Sequence, residues 1–173
     1  MEIRILTALD ALEYWRIRQE ALRGDPWAFS ASPDDPESVN LEDVKKRLGT
    51  GRDDFFIVGA YLEGRLSGTA DFYREKGLKL RHKARVWGVF VAPEKRGLGL
   101  GRRMMETLLE HGARVDGVEQ ILLSVTTTQT AAASLYRSLG FESFGFEPRA
   151  LKIGDRYVDE EYMVLHVKTV DRG

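Results

Sequence analysis

The chain contains no cysteine. That excludes a disulfide scaffold, a Cys-ligated zinc or iron–sulfur site, and a thiol nucleophile or redox centre. Demanding chemistry must therefore use other side chains, backbone groups or a borrowed cofactor. An excess of charge is missing too: 26 Lys and Arg against 27 Asp and Glu leave a net charge of −1. This rules out a globally basic nucleic-acid binder, though not a local basic patch. No apolar run approaches the ~20 residues that span a bilayer. The opening Met1-Glu2-Ile3-Arg4 has no signal-peptide character, so a cytoplasmic protein with no membrane partner is expected. The histidines, His82, His111 and His166, are too dispersed for metal-ligand spacing, and no metal is expected. Proline is scarce, five in 173 residues, and three of them (Pro26, Pro33, Pro36) crowd into one stretch.

What is present is the balance of a globular protein, 43% apolar and 31% charged, at a length that fits one domain. The proline-rich stretch, Gly24 to Asn40, also holds Asp25, Asp34, Asp35 and Glu37, with Trp27 and Phe29. Such a segment reads as an irregular connection. Its aromatics suggest that it packs down as a substrate wall, and its carboxylates would steer a cationic acceptor.

Periodicity predicts the elements. Ile3 to Leu6 reads as a strand. Asp10 to Leu22 reads as a helix with Leu12, Trp15, Gln19 and Leu22 on one face. Leu41 to Leu48 follows as a helix capped by Asn40. Phe55 to Leu62 and Leu66 to Tyr73 form a hairpin around Glu63-Gly64, the second strand alternating as a half-buried strand does. Arg85 to Ala92 is a strand stopped by Pro93, and Leu100 to Val115 is an amphipathic helix. Ile121 to Thr126 is a central strand. Thr130 to Leu139 is a helix ended by Gly140, and Phe141 to Glu147 with Tyr157 to Val167 close the chain as strands. The order implies an α/β fold with a mixed sheet, mostly antiparallel, and one parallel crossover from Arg85 to Thr126.

The run Arg96-Gly97-Leu98-Gly99-Leu100-Gly101-Arg102-Arg103 lies between a strand and a helix N-terminus. Free N–H groups, the positive end of the helix dipole (about +0.5 charge) and nearby arginines suit a phosphate or pyrophosphate. A Walker A loop would need Gly-Lys-Ser or Gly-Lys-Thr, and Gly101 is followed by arginine. A dinucleotide fingerprint needs a different glycine spacing and an acidic residue ending the next strand, which ends Ser124-Val125-Thr126-Thr127. The basic cluster has no aromatic stacking platform beside it, so no nucleic acid is expected.

Arg96-x-x-Gly99-x-Gly101 after Val89-Phe90-Val91-Ala92-Pro93 resembles the GNAT superfamily of acetyl-CoA-dependent N-acetyltransferases. Gln129-Thr130-Ala131-Ala132-Ala133-Ser134-Leu135-Tyr136-Arg137-Ser138-Leu139-Gly140-Phe141 resembles its second signature, Asn-x-x-Ala-x-x-Leu-Tyr-x-x-x-Gly-Phe. The resemblance implies one acetyltransferase domain over residues 1–173, with the parallel strand pair splayed for coenzyme A. It implies that Arg96, Gly97, Leu98, Gly99, Leu100, Gly101 and Arg102 cradle the pyrophosphate and that Val89, Phe90 and Val91 pair with the pantetheine arm. An N–H near Phe90 would serve as oxyanion donor, Gln129 would contact the cofactor, and Tyr136 would be the acid facing the departing sulfur. Acetyl-CoA is then the acyl donor, and a small-molecule or peptide amine the acceptor, attacking directly in a ternary complex. A homodimer is common in the family, and an exposed edge of the C-terminal strand offers a place for one.

Two residues depart from the family pattern. Gln129 stands where Asn is usual, and Trp87 stands where many members carry a glutamate base. Asp71, Asp159, Glu160 and Glu161 are candidates to replace that base, though each also reads as an ordinary strand-face charge. The missing glutamate keeps a second reading open, a non-catalytic acyl-CoA sensor or interaction module on the same fold. A nucleotide-binding domain is a third.

Overall fold

The computed structural model describes residues 1–35 and 40–167. One sheet organises them, in the order β1-β2-β3-β4-β5-β7-β6. Its strands are β1 (Glu2–Ile5), β2 (Phe55–Leu62), β3 (Arg65–Arg74), β4 (Lys83–Val91), β5 (Gln120–Thr126), β6 (Glu142–Ile153) and β7 (Arg156–His166). β4 and β5 run parallel, and every other neighbouring pair is antiparallel. The expected hairpin forms with Glu63 and Gly64 both at positive φ, 53° and 77°, the geometry of a two-residue turn that follows the sheet twist.

Four helices cover the two faces: α1 (Ala11–Gly24), α2 (Leu41–Leu48), α3 (Leu100–Gly112) and α4 (Thr130–Ser138). α3 and α4 pack over Phe56, Phe72, Ile121 and Met163, with Met104, Met105 and Leu108 fully buried. Each such side chain stabilises the fold by about 1.5–3 kcal/mol. α1 and α2 close the other face over Ile57, Leu66 and Phe90. Asn40 caps α2 as expected, accepting from the N–H groups of Glu42 and Asp43. Gly112 lets α3 lie against the sheet, because a Cβ there would sit 2.6 Å from the Phe72 ring.

Several expectations need correction. β3 is buried on both faces rather than half-buried, with Ser67, Thr69 and Asp71 sealed beneath α1. α1 presents Ala11, Tyr14, Ile17 and Ala21 to the core, and Leu12 is 60% exposed. A 3-10 turn over Ala8–Asp10 precedes that helix, and the Asp10 carboxylate is spent on Arg4, Thr7 and Tyr61. α3 ends at Gly112. β6 runs on past Glu147 to Ile153, because an edge strand tolerates Pro148 within a bulge between Glu147 and Leu151. The expected roles of Pro36 and Glu37 fall outside the described residues.

Candidate functional site

β4 and β5 are paired only from Lys83–Gln120 to Arg85–Leu122. Beyond that, each strand keeps its other neighbour. β4 stays with β3, where the Ala92 N–H reaches the Ser67 carbonyl at 2.9 Å, and β5 stays with β7 as far as Thr126. The parting begins past Arg85, and the bulge of β4 against β3 follows at Gly88, φ +60°. The result is a groove of about 380 Å³ walled by Val89–Val91, the glycine loop and α4.

Most residues singled out from the sequence meet in this groove. Val89, Phe90, Val91, Arg96, Gly97, Gly99, Leu100, Gly101, Arg102, Gln129 and Tyr136 all line it. Leu98 does not; its side chain is 53% exposed on the outside of the turn. Arg103 also turns away, donating to Met1 Sδ. Gly97 and Gly99 both hold φ 78°, which L side chains rarely adopt, and open space faces both. The first-turn N–H groups of α3 have no intrahelical acceptor. These features fit the pyrophosphate of coenzyme A.

Backbone direction narrows one expectation, the oxyanion donor near Phe90. Ala92 and Phe90 are bonded partners of β3 by register, so the N–H of Phe90 points away from the groove. Alternation turns Val89 and Val91 toward it, and the Val91 carbonyl accepts from Arg96 Nε at 3.1 Å.

Tyr136 is 5% exposed, and burial alone pushes its phenol well above the usual value. It keeps its proton at any physiological pH. Gln129 Nε2 donates to both oxygens of Asp25 at 3.1 Å. Asp25 also lies 4.0 Å from Arg96. It is therefore tied to the cofactor side of the groove and is not free to steer an acceptor. Phe29 does act as a wall: it lines the groove, tilts against Phe90 and lies under the Arg18 guanidinium.

The four carboxylates proposed as bases separate clearly. Glu161 is bound at 2.6 Å by Arg137 of α4, and Asp159 accepts from the Arg149 N–H. Asp71 has no exposure; Tyr14 donates to its Oδ2 at 2.5 Å, and Oδ1 has no hydrogen-bond partner. Burial raises Asp71 to about 6. A Cβ on Gly88 would meet this carboxylate at 3.3 Å, a second reason for glycine there. Glu160 is half-buried on β7, opposite Thr126, and burial raises it while Ser124 opposes the shift by donating a hydrogen bond. Tyr162 donates to Glu147 beside it.

Sequence reasoning missed the group around Trp87. The Arg18 guanidinium lies between the Phe29 and Trp87 rings, 5.0 and 5.3 Å from their centroids. Tyr14, Trp15 and Arg18 come from consecutive turns of α1. Reading α1 by Leu12, Trp15, Gln19 and Leu22 hid Tyr14 and Arg18, since the buried stripe is carried partly by alanines. A larger cavity, about 520 Å³, lies at the C-terminal end of α3, lined among others by Leu48, Phe55 and His111. It faces the C-terminal ends of α2 and α3 and has no helix N-terminus to hold a phosphate. Among the described residues no group of three His, Asp or Glu could hold a metal, and no helix is long and apolar enough to cross a membrane.

Residues 14–141 match the family model for the acetyltransferase (GNAT) family. The N-alpha-acetyltransferase RimI of Mycobacterium tuberculosis is 31% identical over 152 residues, covering 87% of this chain and 84% of that protein. A mycothiol acetyltransferase of Thermobispora bispora is 37% identical over 118 residues, 64% of this chain but only 39% of that protein. The fold matches a GNAT-superfamily phosphinothricin acetyltransferase of Sinorhizobium meliloti solved in complex with acetyl-CoA. That match has a TM-score of 0.82 at 20% identity, covering 96% of this chain and 88% of that one.

Proposed function

The chain belongs to the GNAT family of acetyltransferases, and on that footing we propose that it moves an acetyl group from acetyl-CoA to an amine in one direct step. The observation that carries this reading is the groove itself. A strand pair opens between a glycine turn at a helix N-terminus and a buried tyrosine on the facing helix. The family match over 14–141 and the single seven-stranded sheet support reading residues 1–173 as one such domain.

Acetyl-CoA supplies the activated acyl group. Gly97, Gly99 and the first turn of α3 hold its pyrophosphate by backbone N–H groups, with Arg96 and Arg102 adding charge. The Val89 N–H, rather than that of Phe90, is the donor for the oxygen on which negative charge develops. One preorganised donor of this kind is worth roughly 10²–10³ in rate. The amine nitrogen bonds to the acyl carbon and loses a proton. Sulfur leaves with its bonding electrons and takes a proton from Tyr136; burial keeps the phenol protonated beforehand and makes it a weak acid, so it donates only as the thiolate charge develops.

Glu160 is the proposed proton acceptor for the amine. It lies on the sheet face away from α4, on β7 beyond the point where β4 and β5 part, and its raised pKa improves it as a base. Asp71 has a raised pKa as well, but it is sealed from solvent and already holds the Tyr14 hydroxyl. Replacing Glu160 by Gln should lower kcat by about 10²-fold and flatten the acid limb of the pH–rate profile. An unchanged profile would remove Glu160 from this role.

A further inference from the structure

Behind the Phe29–Arg18–Trp87 stack lies a second, smaller cavity of about 120 Å³, lined by Tyr14, Trp15, Arg18, Arg47 and Trp87 with Ala31 and Val44. That is room for a few water molecules or one small polar group. Three of its lining residues carry a buried N–H with no hydrogen-bond partner: Trp15 Nε1, Trp87 Nε1 and Arg18 Nη1. Each buried donor left without an acceptor costs about 1–3 kcal/mol, and folded proteins rarely retain one. Here three gather around one space.

The chemistry of these groups is one-sided. Indole and guanidinium nitrogens only donate. Arg18 and Arg47 form no ion pair among the described residues; both act on the buried Asp71 carboxylate, so two arginines face one carboxylate and one positive charge is left over. The Tyr14 hydroxyl is already committed to Asp71. A partner for this site must accept hydrogen bonds and carry negative charge, and it must be small. The cavity and the groove share the Phe29–Arg18 wall, because Phe29 lines the groove.

Building on the transferase reading above, we propose that the acceptor amine also carries a carboxylate, which Arg18, Trp15 and Trp87 receive in this cavity. The substrate class is then an amino acid or a close analogue of one, and polyamines are excluded by the two arginines. Among the described residues the Arg18 head group is held by the Phe29 and Trp87 ring faces, about 0.5–2 kcal/mol, and by attraction to Asp71, with no direct ion pair. It can therefore turn toward an entering carboxylate. Trp87, in the place of the family's usual glutamate, is a recognition residue in this account.

Two of the three tryptophans line the cavity, and Trp27 lies apart over Arg156. Intrinsic fluorescence of a Trp27→Phe protein therefore reads this site without any turnover. The probes are N-acetyl amino acids and their carboxamides, which differ only in the charged group. A saturable change with the acids, at least tenfold weaker with the amides and lost in Arg18→Met, supports the subsite. Equal responses to acid and amide, or none to either, overturn it. The acid–amide comparison stands on the unmutated cavity even if Arg18→Met does not fold. CoA release with free amino acids, amino-acid amides and diamines tests the other layer. Release with diamines and amides but not with acids overturns the carboxylate proposal and leaves the transferase standing. No release with any amine, alongside a saturable response to the acids, sinks the transferase reading and leaves the anion site.

Discussion

Tyr136 is a buried phenol at the edge of a groove, with the Phe141 ring 6.1 Å away. Burial that merely packed the ring would make its hydroxyl a liability; the proposed role as proton donor gives that hydroxyl a use. Tyr136→Phe should lower kcat about 100-fold and leave acetyl-CoA affinity within about twofold. Steady-state kinetics with a calorimetric Kd check this, and equal losses in both would contradict it. Tyr136 was legible in the sequence because Leu135 before it and Gly140-Phe141 after it stand at fixed spacing. Asp71 was not. It alternates with apolar residues as a solvent-facing strand residue would, and only the packing of α1 over β3 turns that face inward.

At the scale of the element, the glycine turn makes separable predictions. Gly99 caps α3 at φ 78° with empty space around it, so Gly99→Ala strains the backbone without a clash. The strain is about 1–2 kcal/mol, and acetyl-CoA affinity should fall roughly tenfold. Gly101 has no positive φ, and a Cβ there makes ordinary contacts with Leu135 and Val91 at 3.5 and 3.7 Å. Gly101→Ala should therefore keep or raise stability, since alanine favours helix by about 1 kcal/mol. It should still weaken acetyl-CoA, because the methyl group enters the groove. Thermal unfolding paired with titration checks both; a Gly101→Ala protein with full affinity would place the cofactor elsewhere. Helix α2, its Asn40 cap, the Glu63-Gly64 hairpin turn and the end of α4 before Gly140 were legible, since local turn and cap chemistry decides them. The phase of α1 was not, because a tertiary hydrogen bond from Tyr14 to Asp71 sets it.

At the scale of the whole molecule, two buried carboxylates shape stability in opposite ways. Asp10, gripped by Arg4 and accepting from Thr7 and Tyr61, is held well below the usual carboxylate range. Its contribution is present above the ordinary value of 3.8 and is lost as pH falls below it. Asp71 is raised from 3.8 to about 6, so the folded state holds its proton longer than the unfolded chain does. Stability therefore falls as pH rises from about 4 to 6, by about 3 kcal/mol. Asp71→Asn, which can still accept from Tyr14, should remove that fall and be the more stable protein at pH 7. Urea unfolding from pH 3.5 to 8 checks the sign. A wild-type stability that climbs steadily from pH 4 to 6 would contradict it.

The sheet split, the glycine turn and the buried tyrosine support the proposed acetyl transfer to an amine, and the absence of cysteine makes the decisive assay clean. A thiol-reactive dye mixed with the protein, acetyl-CoA and a panel of amines reports the thiol of CoA and nothing from the chain. The account predicts amine-dependent thiol release that falls about 100-fold in Tyr136→Phe. Tight acetyl-CoA binding with no release across the whole panel would contradict it and make the protein an acyl-CoA-binding module.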